Sequence, residues 1–402
     1  MVRAADAGPP PRRGVRAVVA SRGASGLPEF AGNTWTFLQY VLGLARLGVE
    51  SFWVDYQPKL DPRQPARGDR AHPDQDCHSI GYVSARFEAM ARTFGFEDRY
   101  CILYDGGAEA FGMSTAELDD LLDDADLLLN LGGPLPAESP LLRIPRRAYV
   151  DLDPGFTQIW AHQIDMGFGS YDSFFTVGQG VGRPEFRIPT LGIEWEPTLP
   201  PVVLDLWPAR TDPSCARLST IADWRGSQYA RFEGELYEGK REEFIRFLEV
   251  PMRAQRPIEL ALSIGQHDYE DLGVLLRNQW LVRDPYLYAG DVESYREFIQ
   301  FSRAEFSVAK SGYVKASSGW FSDRTACYLA SGKPAVVEST GFEWRLPTGD
   351  GLLAFGTVAE AVEAIESIDR DYLAHAEAAR RIAEQHLDSG LVLGGLLERV
   401  GW

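Results

Sequence analysis

The sequence predicts an α/β protein built as two tandem Rossmann-like domains that face each other across a cleft. Three observations carry that expectation. The 402 residues suit two domains of ordinary size. Strand-like and helix-like segments alternate through both halves, as in parallel sheets joined by right-handed crossovers. Between Glu194 and Pro213, five prolines (Pro197, Pro200, Pro201, Pro208 and Pro213) mark a linker or extended crossing. The expected division is residues 1–200 and 215–387, with a final helix over 388–402. No fixed repeat is present, which excludes solenoids and propellers.

In the first half, Arg16 to Ser21 is a short buried-strand run, followed by a glycine-rich loop through Gly32. Apolar residues at Trp35, Leu38, Val41, Leu42 and Ala45 recur at helical spacing from Asn33 to Leu47, and Gly48 is the stop. Val49 to Tyr56 is the next strand and completes a βαβ unit. Residues 57–78 lack periodicity and read as an exposed loop. A helix over Ser79 to Phe94, a strand at Tyr100 to Tyr104 and a capping box at Ser114 to Glu117 follow. Ala125 to Leu131 and Arg147 to Val150 are further strands, the second running into Asp151-Leu-Asp-Pro-Gly155 and an aromatic-rich helix. Phe174 to Val177 is one more. The second half places strands at Leu218 to Ala222, Ile258 to Ile264, Glu305 to Ala309 and Pro334 to Val337. Its helices fall at Arg241 to Arg253, Asp291 to Ser302 and Phe321 to Ala330, with a last stretch from the capping box at Thr357 to about His386.

Acidic side chains number 58 and basic ones 40, a net charge of −18. That balance leads us to expect no nucleic-acid partner, since phosphate backbones need a basic face. It also leads us to expect no electrostatic hold on anionic lipid. Small phosphate-bearing molecules stay compatible, because a few amides and one or two cations hold them. Cys77, Cys101, Cys215 and Cys327 form no CxxC pair, which predicts reduced cysteines and a cytoplasmic setting. No apolar run reaches the roughly 18–20 residues of a membrane helix, and Val15 to Ala20 is too short for a signal core. His72, Cys77 and His78 match no zinc spacing, and no GxGxxG, GxSxG or HExxH motif is present.

The segment Lys310 to Thr340 is the richest in chemistry. A strand ends at Ala309, a glycine- and serine-rich loop follows, and a helix starts near Ser322. Ser318, Gly319 and the amides of Trp320 to Asp323 are thereby expected at a helix N-terminus, where free N–H groups favour a diphosphate. Lys310, Lys315 and Arg324 add charge. The alternative reading is an ordinary strand–loop–helix connection with Ser322 as the cap. Trp320 and Phe321 flank the loop and suit stacking on a base or sugar.

The run Ser318-Gly-Trp-Phe-Ser-Asp-Arg324, followed by Tyr328-Leu-Ala-Ser-Gly-Lys-Pro-Ala-Val-Val337, resembles the donor-binding region of bacterial GT-B glycosyltransferases. The resemblance is strongest from about Glu305 to Gly356. It implies a nucleotide-diphosphate sugar on the C-terminal domain, contacted by Lys310, Tyr313, Lys315, Ser318, Gly319, Trp320, Phe321, Ser322, Asp323 and Arg324. It implies no separate cofactor and no metal, with the nucleotide-sugar as co-substrate and a small molecule or glycan as acceptor. One departure is clear. The two glutamates, eight positions apart, of many retaining members fall here on Gly319 and Cys327, so sugar or ribose contacts pass to Asp323 or Glu338.

At the first domain's strand ends, Asp151 and Asp153 sit where an acceptor hydroxyl would need a general base. The bland reading is that they cap the following helix. In the loop Gly23 to Asn33, which the resemblance turns toward the sugar and acceptor, Glu29 is the second candidate base and Asn33 and Thr34 are candidate contacts. An epimerase of the same fold, or a non-catalytic nucleotide-binding protein, fits the same pattern.

Overall fold

A computed structural model describes residues 14–24, 31–60, 79–226 and 228–402. The first sheet holds β1 (Arg16–Arg22), β2 (Glu50–Gln57), β3 (Tyr100–Tyr104), β4 (Glu109–Gly112), β5 (Leu127–Leu131), β6 (Arg146–Asp151), β7 (Ser173–Thr176) and β8 (Glu196–Pro197). Their order is β4-β3-β2-β1-β5-β6-β7-β8, parallel except for the β3–β4 pair. The second half contains β9 (Leu218–Asp223), a separate hairpin of β10 (Ala230–Phe232) and β11 (Glu235–Tyr237), and then β12 (Ile258–Ser263), β13 (Trp280–Arg283), β14 (Ala304–Ser307), β15 (Ala335–Glu338) and β16 (Leu352–Phe355). Its six-stranded sheet is all parallel, in the order β13-β12-β9-β14-β15-β16.

Both sheets thus reverse direction beside their first strand, between β1 and β5 and between β9 and β14. In a doubly wound sheet that switch point opens a crevice at the strand C-termini, because neighbouring connections leave to opposite faces. The near-unbroken burial of β1, β2, β5, β12 and β14 is what a sheet covered on both faces requires.

The two sheets are not joined loosely. The helix Ala31–Arg46 of the first half inserts Trp35 beside Trp207, with ring centroids 4.8 Å apart. Trp35 Nε1 donates to the Val292 carbonyl at 2.9 Å. A single apolar core containing Trp35, Leu38, Tyr295, Tyr328 and Leu393 therefore spans both halves. On the other side of the cleft, a second shared core joins Phe156, Ile159 and Ile188 to Ala230, Tyr237, Tyr313 and Ala316. The crossing over 194–213 is an anchored segment. Val202 donates to Leu387 at 2.7 Å and accepts from Ser389 at 2.9 Å, and Trp207 is fully buried. The last helix, Ser389–Arg399, lies on the first-half helix, with Leu393 and Ser389 against Gly43, where a Cβ would sit 2.6 Å from Leu393.

Several elements differ from the sequence expectation. Pro251 opens a second short helix, so the predicted helix Arg241 to Arg253 is two pieces, Arg241–Arg246 and Val250–Ala254. The predicted stretch from Thr357 breaks at Asp371, which ends one helix and caps the next. Among the described residues, no helix is long and apolar enough to cross a membrane.

Candidate functional site

A cavity of about 690 Å³ lies between the sheets, at both switch points. The first half supplies Arg22 from the end of β1, Gly132 and Gly133 after β5, and Asp153 after β6. The second half supplies Asp223 from β9, Lys310 after β14, and Ser322 to Arg324 at the start of the helix Asp323–Ala330.

Cations gather on the second-half wall. Lys240 is 7% exposed, and its one hydrogen bond among the described residues goes to the Val308 carbonyl at 2.8 Å. Burial, reinforced by the neighbouring Arg324 and Lys310, pushes its pKa well below the ordinary lysine value. Lys310 donates to Asp153 Oδ1 and to the Tyr313 hydroxyl, each at 2.8 Å. Arg324 turns its guanidinium inward: Nε reaches Glu305 at 2.8 Å, Nη1 reaches the Ile221 carbonyl at 2.7 Å, and Nη2 donates to Ser307. Burial opposes that charge, and Glu305 outweighs it, so Arg324 stays ionised. Arg225 is tied to Asp268 in a forked pair.

The two aspartates after β6 behave oppositely. Asp151 is 0% exposed and accepts from Thr157 at 2.6 Å, Thr176 at 2.8 Å, Gln158 at 3.1 Å and the Asp153 amide at 3.0 Å. Burial raises its pKa to about 6 against those donors. Asp153 reaches the cavity, where burial pushes its pKa up but the Lys310 ammonium and bonds from Lys310, Tyr313 and Gln228 hold it below the usual carboxylate range.

Of the residues expected at the site, Asp153, Asn33, Lys310, Trp320, Ser322, Asp323 and Arg324 do line one cavity. The others are placed differently or lie outside the described residues. Asp151 anchors the turn after β6 and presents no open face to a substrate. Lys315 points away, donating to Glu242 at 2.9 Å and to the Leu236 carbonyl at 3.1 Å. Ser318 and Gly319 form a seam with the first half: Gln179 and Gly180 amides donate to the Gly319 and Ser318 carbonyls at 3.1 and 2.9 Å. Phe321 is core, packed on Phe342. Tyr313 is buried, and its hydroxyl donates to Asp153. Thr34 faces a separate cavity of about 240 Å³ with Arg86 and Met90. Glu338 lies beneath the site, accepting from the Ala309 amide at 3.0 Å and from Arg246 at 3.2 Å. Glu29 lies outside the described residues.

The expected diphosphate cradle at the helix N-terminus also changes. The amides of Gly319, Trp320 and Arg324 already bond Thr340, Ser318 and Ser322, and the Asp323 carboxylate occupies the first turn. The cavity's lysines stand instead at Lys240 and at Lys310, the latter paired with Asp153. Lys240 was missed because its signal is local and slight, a Gly239-Lys240 pair just before a helix. Gly239 itself is forced by packing, since a Cβ there would meet the Arg225 carbonyl at 1.7 Å.

No protein-family model and no curated protein matches the chain. Solved structures do. An alpha-glucosyltransferase in complex with UDP-glucose and DNA containing an abasic site superposes with a TM-score of 0.60 at 12% identity, over 97% of this chain and 100% of that one. An alpha-glucosyltransferase with UDP and a 13-mer DNA containing an HMU base gives 0.58 at 10% identity, over 97% and 100%. Anabaena HepE in complex with UDP and glucose gives 0.53 at 11% identity, over 96% and 99%. The fold is GT-B.

Two of these GT-B structures hold DNA, which overturns the expectation that no nucleic acid is a partner. The physical reason is that −18 sums the whole molecule, whereas contact with a phosphate depends on the field within about a Debye length of a few cations.

Proposed function

We propose that this protein is a glycosyltransferase that takes a hexosyl group from a nucleotide-diphosphate sugar. The observation that carries the reading is Lys240, an amine nine-tenths buried on the cavity wall with a single carbonyl for a partner among the described residues. A lysine so buried holds its proton poorly until a counter-charge meets it, and a diphosphate supplies one. Lys310 stands beside it, and Arg324 adds a fixed positive field. We take the counter-charge to the diphosphate from these side chains, with no metal in the step. UDP is the first nucleotide to try, because the GT-B neighbours hold it.

The sugar would then face Asp323 and Asn33, with the acceptor hydroxyl on the side of Asp153. As the acceptor oxygen bonds to the anomeric carbon, the carbon–oxygen bond to the diphosphate breaks. The nucleoside diphosphate leaves with the bonding pair, and Asp153 takes the hydroxyl proton.

Isothermal titration of the full chain with UDP, GDP, TDP and ADP tests the donor site. At least one is expected to bind, and Lys240→Met to weaken it at least tenfold, as loss of a charge-assisted contact in a buried site predicts. If none of the four binds, or if Lys240→Met binds equally well, the reading fails.

A further inference from the structure

Asp153 and Lys310 come from opposite halves and hold each other across the cavity at 2.8 Å. We infer that donor binding is an exchange of partners: the diphosphate takes the Lys310 ammonium, and only then does the Asp153 carboxylate become available to the acceptor hydroxyl. This rests on the donor reading above and adds to it an order of events.

The surroundings of the pair suit a swap in which one partner moves and the other stays. Asp153 is also held by the Tyr313 hydroxyl, likewise from the second half, which donates to the same Oδ1 that Lys310 uses. Tyr313 is fixed, buried with its ring stacked on Trp320 at 4.4 Å and edge-on to Phe156 at 5.6 Å. The backbone beneath it is equally tight, since a Cβ at Gly312 would meet the Phe156 ring at 2.3 Å. The carboxylate therefore keeps its place without the lysine. Lys310 carries its charge on a flexible stem and lies over the Phe156 and Tyr313 rings, 5.7 and 4.9 Å from their centroids. It can shift over that aromatic surface while keeping a π-face beneath it. Lys240 cannot serve as the mobile member, because its ammonium is buried against the Val308 carbonyl.

A carboxylate that loses an adjacent ammonium becomes a better proton acceptor. In the transfer step Asp153 takes the proton of the acceptor hydroxyl while the nucleoside diphosphate departs with Lys310. Before the donor arrives, the base stays masked by the lysine.

The test is a double-mutant cycle on UDP affinity, by titration of the full chain. Asp153→Asn frees Lys310 and is expected to tighten UDP binding roughly three- to tenfold, in the range of one exchanged charge pair. Lys310→Met is expected to weaken binding at least tenfold, and in that background Asp153→Asn is expected to change nothing. Asp153→Ser repeats the comparison should the asparagine variant misfold. If Asp153→Asn binds UDP no tighter than the unmodified chain, or tightens it equally in the Lys310→Met background, the exchange is overturned. If the unmodified chain binds none of the four nucleotides, the donor reading itself falls and the exchange with it.

Discussion

Thr36 donates its hydroxyl proton to Asp323 Oδ2 at 2.7 Å, tying the first-half helix Ala31–Arg46 to the first turn of the helix Asp323–Ala330 across the cleft. The bond fixes a carboxylate that the second half presents to the cavity.

Replacing Thr36 by Val keeps the shape and removes the donor. A hydrogen bond to a charged group is worth about 1.5–3 kcal/mol, so Thr36→Val should lower unfolding stability by about 1–2 kcal/mol in urea titrations. The loss should vanish in an Asp323→Ala background, which has no side-chain acceptor. An undiminished loss there would mean that Thr36 acts through packing alone.

The seam between Gln179–Gly180 and Ser318–Gly319 has no room for a side chain. A Cβ at Gly180 would lie 2.2 Å from the Ser317 carbonyl oxygen, and one at Gly319 would lie 2.4 Å from the Gly180 amide nitrogen, at φ +67°. Both atoms are backbone and cannot step aside. Gly180→Ala should therefore cost at least about 2 kcal/mol and raise protease sensitivity at the seam. Gly182→Ala is the control. It has a positive φ but open space, so only the smaller conformational cost of about 1 kcal/mol applies. Equal losses at the two sites would show that the seam is not tight.

Lys333 is 0% exposed, and its ammonium has no hydrogen-bond partner among the described residues. Burial lowers its pKa to about 8; Cys215 and Asp212 oppose that shift, while Arg210 and Arg217 add to it. Between about pH 8 and the ordinary lysine value the unfolded chain binds the proton more tightly than the folded one. Folding stability should consequently rise with pH across that window, by about 2–3 kcal/mol in total from this residue. Lys333→Met should flatten the slope and raise the melting temperature at pH 7. Parallel pH–stability curves for the two proteins would contradict this.

The strands were legible in sequence where burial on both faces made unbroken apolar runs, as in Leu127–Leu131 and Ile258–Ser263. The boxes at Ser114–Glu117 and Thr357–Glu360 were legible because both halves of each bond lie within four residues. The hairpin Ala230–Tyr237 and the helix Ser311–Ala316 were not. Their stability comes from Phe156 and Ile159, some seventy positions or more away, which no local window contains. Part of the site was hidden for the same reason. The glycine and serine of Ser317–Gly319 read as a diphosphate loop, and their backbone closes instead against Gln179 and Gly180 of the other half. Asp151 and Asp153 share a motif, and only the third dimension separates the anchoring residue from the one at the cavity.

The return of Ser389–Arg399 onto Ala31–Arg46 has a consequence for biogenesis. The face of the early helix around Gly43 is sealed by Ser389 and Leu393, made long after it, and Trp35 by residues near 207 and 292. A nascent chain therefore carries an uncovered tryptophan-bearing surface on the ribosome until residues 389–399 have emerged. Ending the chain at residue 387 should leave that surface sticky, so the shortened protein is expected in the pellet, or bound to a trigger-type chaperone, where the full chain stays free. A monomeric, well-folded 1–387 fragment would show that the last helix arrives too late to matter.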